Sequence, residues 1–345
     1  MTIRSTRFVS YKFIDAQGNL RDKVVRSGAA RHTVLSDGSS LGFCPTNDSD
    51  ILLIPDADSL HYDPIRNMES VFCFVARPSG NAGNLLTTFR NEAYLTMMKD
   101  EQTQGSLFGV EPEFFVCKKS TPDGAFIPVD LNNLMELKTV KQDKWYSCLP
   151  PLDSFHNLRI DIAKAMETAG FEIEAIHHEV APGQCEFSWK CDSLLRTADK
   201  MMIFKYIVNA ICATYEFRAD FRAKPFKNLN GSGCHVHQSI PMMINAEGKP
   251  NAKIVEAYAG GLVDHYDELL EVCCVGYTSH DRLVPGFEAP TKENNGWGWY
   301  DRTKTVRIVG DGGHLEYRLP DPEMNPYVAL PMMLEFGYQG VLESK

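Results

Sequence analysis

Apolar residues come in short runs at the start of the chain and at helical spacing through much of the rest. Phe8, Tyr11, Phe13 and Ile14 precede a turn cluster, Asp15-Ala-Gln-Gly-Asn19, and Val24-Val25 begin the return. Residues 6–30 therefore read as a β-hairpin. Asp37-Gly-Ser-Ser40 is a second turn, Ile51-Leu-Leu-Ile54 stops at Pro55, and Val71-Phe-Cys-Phe-Val75 is closed by Arg77-Pro-Ser-Gly80. Short strands, turns and little helix predict a small β-rich domain that ends near Gly80 to Gly83.

Beyond that point the period changes. Leu85 to Met98 reads as a helix, Phe108 to Cys117 as a strand, and Thr121-Pro-Asp-Gly124 as a turn. Leu158, Ile162, Ala165, Met166 and Ala169 keep helical spacing up to Gly170, and Phe171 to Val180 is a strand. Asp192 is placed to cap a long helix carrying Leu195, Met202, Tyr206, Ala210 and Ile211. Ile254 to Val275 reads as one further helix, weakened in its middle by Gly260-Gly261. Helices alternating with strands indicate an α/β or α+β protein, with a small domain at 1–84 and a larger one at 85–345.

Polar doublets interrupt several apolar strands. Asn230-Gly-Ser-Gly-Cys-His-Val-His237 bends tightly and then straightens, so that His235 and His237 share a strand face. Glu111-Pro-Glu113 opens the run Phe114-Phe-Val116, and Glu316-Tyr-Arg318 precedes Leu319-Pro320. Glu179 and Glu186 bracket a short Pro-Gly loop. Taken singly, each glutamate is most simply an exposed surface side chain. On apolar strands, however, crowded carboxylates repel one another unless a cation sits among them. Oxygen-rich donors suit Mg²⁺, and one imidazole among them also admits Mn²⁺. Arg282, Arg302, Arg307 and Arg318 supply groups that match carboxylate and phosphate oxygens. They flank Pro285-Gly-Phe-Glu-Ala-Pro290, a rigid loop presenting one carboxylate.

The bulk numbers narrow the classes. With 345 residues, 43% of them hydrophobic, and a formal net charge of -10, the chain builds a large core and is a poor candidate for nucleic acid. Ten cysteines without a C-x-x-C pair favour reduced thiols. No stretch approaches a membrane span, and the N-terminus has no apolar signal core, so a cytoplasmic location is expected. There is no P-loop, no dinucleotide glycine fingerprint and no serine nucleophile elbow.

In this order, these residues resemble the glutamine synthetase family. The matching pieces are Asp37-Gly-Ser-Ser, Asn47-Asp-Ser-Asp50, Glu111-Pro-Glu-Phe-Phe, Glu174 to Glu186, Lys224-Pro225, Asn230 to His237, Arg282 to Pro290, Glu316 to Pro322 and Asn325-Pro-Tyr327. They span the chain nearly end to end, and His-His-Glu-Val-Ala-Pro-Gly-Gln is closest to the bacterial and archaeal type.

The resemblance implies a β-grasp-like N-terminal domain and a catalytic domain with a curved antiparallel sheet flanked by helices. It also implies ATP-dependent ligation of ammonia to L-glutamate through γ-glutamyl phosphate. Glu113, Glu179 and Glu186 would bind one Mg²⁺ or Mn²⁺, and Glu111, His235 and Glu316 the other. Asn230, Gly231 and Arg282 would hold glutamate, with Arg318 near its γ-carboxylate. Arg302 and Arg307 would face the transferring phosphate, and Glu174, His237 and Ser239 would contact ATP. Asp37 would bind and deprotonate ammonium, supported by Ser40 and Asp50 from a neighbouring subunit of a homo-oligomeric ring. Glu288 would take a proton and close the site. His178 is read as a structural neighbour of Glu179.

The chain departs from the family pattern in four places. His314 stands where an arginine is usual, which removes a fixed charge from the phosphate site. The segment Asn294 to Tyr300 is two residues longer than expected. Little precedes the first strand. The sequence also ends at Lys345, which implies no adenylylation loop and leaves double-ring stacking open. Two rival activities fit the same residues: a γ-glutamyl ligase using another amine, and a non-catalytic relative. Asp37 and Asp50 favour ammonium, whose size suits a compact anionic site.

Overall fold

The computed structural model describes residues 8–26, 32–78, 84–99, 104–120, 125–139 and 144–344. The Gly80 to Gly83 boundary and the Thr121 to Gly124 turn lie outside the described residues.

The first sheet contains β1 (Phe8–Ile14), β2 (Leu20–Arg26), β3 (Val34–Asp37), β4 (Asp50–Pro55), β5 (His61–Asp63) and β6 (Met68–Ala76). Its order is β2-β1-β6-β4-β3, with β5 also on β6; β1 and β6 run parallel and the other pairs antiparallel. The expected hairpin is β1–β2, and Gly18 (φ 85°) turns it.

The second part starts with α1 (Phe89–Lys99), β7 (Leu107–Lys119), β8 (Phe126–Pro128), α2 (Glu136–Thr139) and α3 (His156–Thr168). There follow β9 (Ile173–His178), β10 (Gln184–Trp189), β11 (Asp192–Ser193), α4 (Leu194–Thr214), β12 (Arg218–Asp220) and β13 (Cys234–Ser239). The last elements are α5 (Ala252–Asp264), α6 (Tyr266–Cys273), α7 (Ser279–Arg282), β14 (Trp297–Trp299), β15 (Val306–Val309), β16 (His314–Tyr317) and α8 (Pro326–Glu343). The strands form one sheet in the order β14-β15-β16-β13-β7-β10-β9, with β8, β11 and β12 also on β7.

Alternation sets the two faces of this sheet. Phe108, Val110, Phe114 and Val116 of β7 point into one core with Cys185 and Phe187 of β10, Val236 of β13 and Ile203, Phe204 and Ile207 of α4. The Phe114 ring lies 6.0 Å from Phe187 and 5.8 Å from Phe204, so the aromatics fix how α4 sits on the sheet. The opposite face is left for chemistry.

Two sequence expectations need correction. Asp192 does not cap α4: the cap position is Ser193, and the Asp192 carboxylate instead accepts from Lys200 Nζ at 2.8 Å. Asp192 is drawn into pairing with Phe108, which shifts the helix start. The helix expected at 254–275 is two helices, broken at His265 rather than at the glycines. Gly261 serves packing, whereas Gly260 faces open space. A Cβ on Gly261 would lie 2.2 Å from the Phe336 carbonyl oxygen and 2.9 Å from the Gly340 nitrogen, because α5 and α8 touch backbone to backbone.

The two parts are joined by buried charges. Arg90 of α1 is 1% exposed, and its Nε lies 2.8 Å from Asp199 of α4 while another nitrogen lies 2.6 Å from Asp56, just after β4. Tyr327 OH donates to Asp199 at 2.7 Å, and Arg196 pairs with Asp56 as well. Among the described residues no helix is long and apolar enough to cross a membrane.

Candidate active site

Sheet register assembles the site. Glu111 and Glu113 are two apart on β7 and so share a face. Across β7, His235 stands opposite Glu111 and His237 opposite Gly109. Glu316 stands opposite His237, and Arg307 opposite Glu316. In the other direction Glu186 stands opposite Glu113, and His177 opposite Glu186. Directly opposed side chains lie about 5 Å apart. One face of five adjoining strands and β15 beyond them therefore carries a continuous belt of carboxylates, imidazoles and guanidinium groups. Pro112, which has no N–H to donate, occupies the last position of the β13 pairing, so it costs no ladder bond in mid-strand.

The belt contains three overlapping groups whose ligand atoms lie within 4.8 Å of one another: Glu111–Glu186–His235, Glu111–His237–Glu316 and His177–Glu179–Glu186. Carboxylates with one imidazole are fitting donors for Mg²⁺ or Mn²⁺. Glu113 is in none of these groups; its carboxylate accepts from Gln184 Nε2 at 2.9 Å. The expected partition of the six ligands is thus crossed by Glu186, which lies near members of both sets.

The electrostatics show strain relieved only in part. Burial, then Glu179 and Glu186, holds the Glu113 carboxyl well above its ordinary range. Burial, then Glu111 and Glu179, pushes Glu186 up to about 9. Burial likewise raises Glu179. Glu316 behaves oppositely: burial would raise it, but His235, Arg318, His237 and Arg307 bring it down to about 2. It faces His235 Nδ1 at 3.2 Å, accepts from Arg318 at 2.9 Å and pairs with Arg307. Burial and the Arg318 charge keep His235 neutral, the form that ligates. His237 is charged more readily, because Glu111 at 3.3 Å outweighs its burial.

His177, given no role by the sequence reading, lies 3.2 Å from Glu186 and 3.5 Å from Glu179. Its position opposite Glu186 depends on hairpin register, which the sequence leaves open; the one signal was the pair His177-His178 beside Glu179. His178 points the other way. It is fully buried and faces Asp130 at 2.8 Å, and Asp130 also accepts from the Gly183 N–H at 2.5 Å, so the pair braces the β9–β10 loop.

A cleft of about 440 Å³ adjoins the belt, walled by Glu111, Glu174, His237, Ser239 and His314 among others. His314 sits 5.3 Å from the His237 ring. Arg282 is buried and donates to the carbonyls of Leu319 (2.8 Å) and Arg318 (3.1 Å). Gly231 packs against it: a Cβ there would meet the Ala223 carbonyl at 2.6 Å and Arg282 Cγ at 2.8 Å. Asn230 Nδ2 donates to Glu288 at 3.2 Å, and Arg318 donates to the Glu288 carbonyl at 3.1 Å. Arg302 is exposed on the rim, close enough for its charge to act on Glu111. Asp37, Ser40 and Asp50 are not brought to the belt. They lie on the exposed β3–β4 edge, where Asp37 stands opposite Asp50 and accepts from Ser40 Oγ at 2.5 Å. Hydrogen bonds from Ser40 and Ser39 hold Asp37 down at about 2.

Residues 5–78 match the glutamine synthetase beta-Grasp domain and residues 91–345 the glutamine synthetase catalytic domain. The chain belongs to the glutamine synthetase family. A glutamine synthetase of Methanococcus voltae is 34% identical over 98% of this chain and 78% of its own length. That of Thermus thermophilus is 35% identical over 89% of this chain and 70% of its own. Among solved structures, a GmaS/ADP complex superposes with a TM-score of 0.82 at 28% identity, covering 99% of this chain and 80% of that one. A Plasmodium falciparum glutamine synthetase seen by cryo-electron microscopy, 22% identical, shares the fold with a TM-score of 0.81 over 99% and 73% of the two chains. The fold is therefore the glutamine synthetase fold, a β-grasp sheet joined to a curled sheet with helices.

Proposed function

We propose that this protein condenses L-glutamate, ATP and ammonia to L-glutamine, ADP and phosphate through γ-glutamyl phosphate. The observation that carries this reading is the belt of acids and imidazoles along one sheet face, beside a cleft with room for a nucleotide, in a chain 34% identical to a named glutamine synthetase. Family membership implies use of ATP and a divalent metal.

Glu113, Glu179 and Glu186 are assigned to one Mg²⁺ or Mn²⁺, and Glu111, His235 and Glu316 to the second. His177 adjoins the first set and His237 the second. Bound there, such ions neutralise phosphate oxygens while the phosphoryl group moves. The protein's own residues do the positioning. Glu174, His237 and Ser239 line the nucleotide cleft. Asn230, Gly231 and Arg282 hold the amino acid, each terminal nitrogen of Arg282 keeping a second hydrogen beyond those given to carbonyls. Arg318 and Arg307 are already fixed by Glu316, so their charges are preorganised where phosphate oxygens develop charge, and Arg302 approaches from the rim. Glu288 accepts the proton released as nitrogen attacks the acyl carbon, and its loop excludes water. Asp37, Ser40 and Asp50, exposed in one chain, are assigned to the ammonium site of an adjacent copy in a homo-oligomeric ring.

Neither rival, another amine as acceptor or a non-catalytic relative, is favoured by a specific observation. The deciding experiment is ATP-dependent γ-glutamyl hydroxamate formation by the purified protein, with phosphate release measured for ammonium against a panel of alkylamines. Hydroxamate together with saturation by ammonium supports the proposal. Saturation by an alkylamine alone, or no hydroxamate, defeats it.

A further inference from the structure

Lys224 takes no part in the assignments above, yet it is placed unusually. It is 6% exposed, and among the described residues its ammonium has no hydrogen-bond partner. Nζ instead sits 3.5 Å from the centroid of the Phe287 ring. A desolvated ammonium on an aromatic face is held more strongly than one in water. Burial, and secondarily Arg282, lower its pKa to about 8, which leaves it charged at neutral pH. Phe287 directly precedes Glu288 in the loop 285–290.

That loop is held in an unfavourable shape. Glu288 has φ 61°, a left-handed conformation rare for a non-glycine residue, two residues after Gly286 at φ 90°. Such a conformation persists only when its surroundings hold it. The Glu288 carboxylate is met by Asn230 and its carbonyl by Arg318, both assigned above to substrate. Lys224 is anchored independently. Its own N–H donates to Thr278 Oγ1 at 3.1 Å, and the adjacent Ala223 carbonyl accepts from Ser232 N–H at 2.8 Å. The fixed end of the tether therefore belongs to the turn that carries Asn230 and Gly231.

We propose that Lys224 is a positioning residue: with Phe287 it forms a cation–π latch that keeps the 285–290 loop shut over the reaction compartment and aims Glu288 into it. The proposal rests on the functional reading above. With the latch open, water reaches the acyl carbon of γ-glutamyl phosphate. The acyl–oxygen bond breaks, glutamate and phosphate leave, and ATP is consumed without amide.

The test compares wild type with K224M, K224R and F287L, measuring phosphate released per glutamine formed. A second, activity-independent readout is the rate of cleavage after Glu288 by a glutamate-specific protease in the absence of substrates. In the wild type the phosphate-to-glutamine ratio is expected near one. K224M and F287L should raise it severalfold and speed cleavage at Glu288 about tenfold, the effect of losing one desolvated cation–π contact. K224R, which keeps a cation for the ring, should stay near wild type, and K224M/F287L should be no worse than either single variant. An unchanged ratio and cleavage rate in K224M, or a K224R as leaky as K224M, overturns the latch. If K224M does not fold, F287L decides by the same two readouts. A wild-type protein that makes no amide defeats the functional reading, while the protease arm still judges the latch.

Discussion

Gly233 tests the geometry of the belt without touching any of its charges. A Cβ built there lies 2.8 Å from an Arg282 guanidinium nitrogen, 2.9 Å from His235 Nε2 and 3.2 Å from a Glu113 oxygen. Ordinary contact is about 3.5 Å, so Gly233→Ala must push these groups outward by roughly 0.6 Å. Gly233 is not among the glycines with positive φ, so alanine fits the backbone there. Stability should change by less than about 1 kcal/mol, since the backbone gain offsets mild crowding. Activity should suffer more. A misplacement of about 1 Å can cost 100-fold, so the shift predicts at least a tenfold loss of kcat. Hydroxamate formation and thermal melting, run on the same preparation with and without Mg²⁺, separate the two effects. Wild-type turnover in G233A would refute the placement of Glu113, His235 and Arg282 around this point. So would a loss of activity explained entirely by a large fall in Tm.

Glu186→Gln should abolish most of the thermal stabilisation by Mg²⁺ or Mn²⁺, which in wild type amounts to about 2.7 kcal/mol at a hundredfold excess over Kd; a shift that survives removes Glu186 from the ligands. Asp130→Asn tests the brace beneath Glu179. Burial would raise the Asp130 carboxyl, but His178 and Ser154 hold it below its usual range. Its contribution to stability is therefore present above pH ~4 and is lost as pH falls below that. D130N should be less stable than wild type by about 2 kcal/mol at pH 7, and the gap should close in melts taken toward pH 3; a gap constant with pH contradicts this. Gly261→Ala should destabilise the fold by about 2 kcal/mol or more in chemical denaturation, because α5 cannot then approach the Phe336 carbonyl; equal stability would mean that the helices separate freely.

The strands that carry chemistry were the most legible part of the sequence. Glu111 and Glu113 before three apolar residues, and His235 and His237 two apart, declare their faces through the two-residue period alone. What sequence cannot supply is register. Nothing in the string His177-His178-Glu179 says that His177 will stand opposite Glu186 while His178 turns inward to Asp130. That depends on how many residues the β9–β10 loop consumes. The joining of α5 and α6 was misread for a related reason. Gly260-Gly261 carries a propensity penalty along the helix, but the benefit of Gly261 lies in the close approach of α8, far off in sequence. Asp37 marks a third limit. Its turn with Ser39 and Ser40 is local and readable, whereas the exposure of that edge becomes apparent only once β3 and β4 are placed at the end of their sheet.

Arg90, with Asp56 on one side and Asp199 on the other, has a mechanical consequence. Arg90 is shut away from water, so parting it from these acids leaves a bare charge, a step worth about 3–5 kcal/mol. The small sheet consequently has no swivel against the helices behind it. Calorimetry should record a single endotherm for both halves, and the β3–β4 rim is carried at a fixed bearing, like a bracket bolted to a frame.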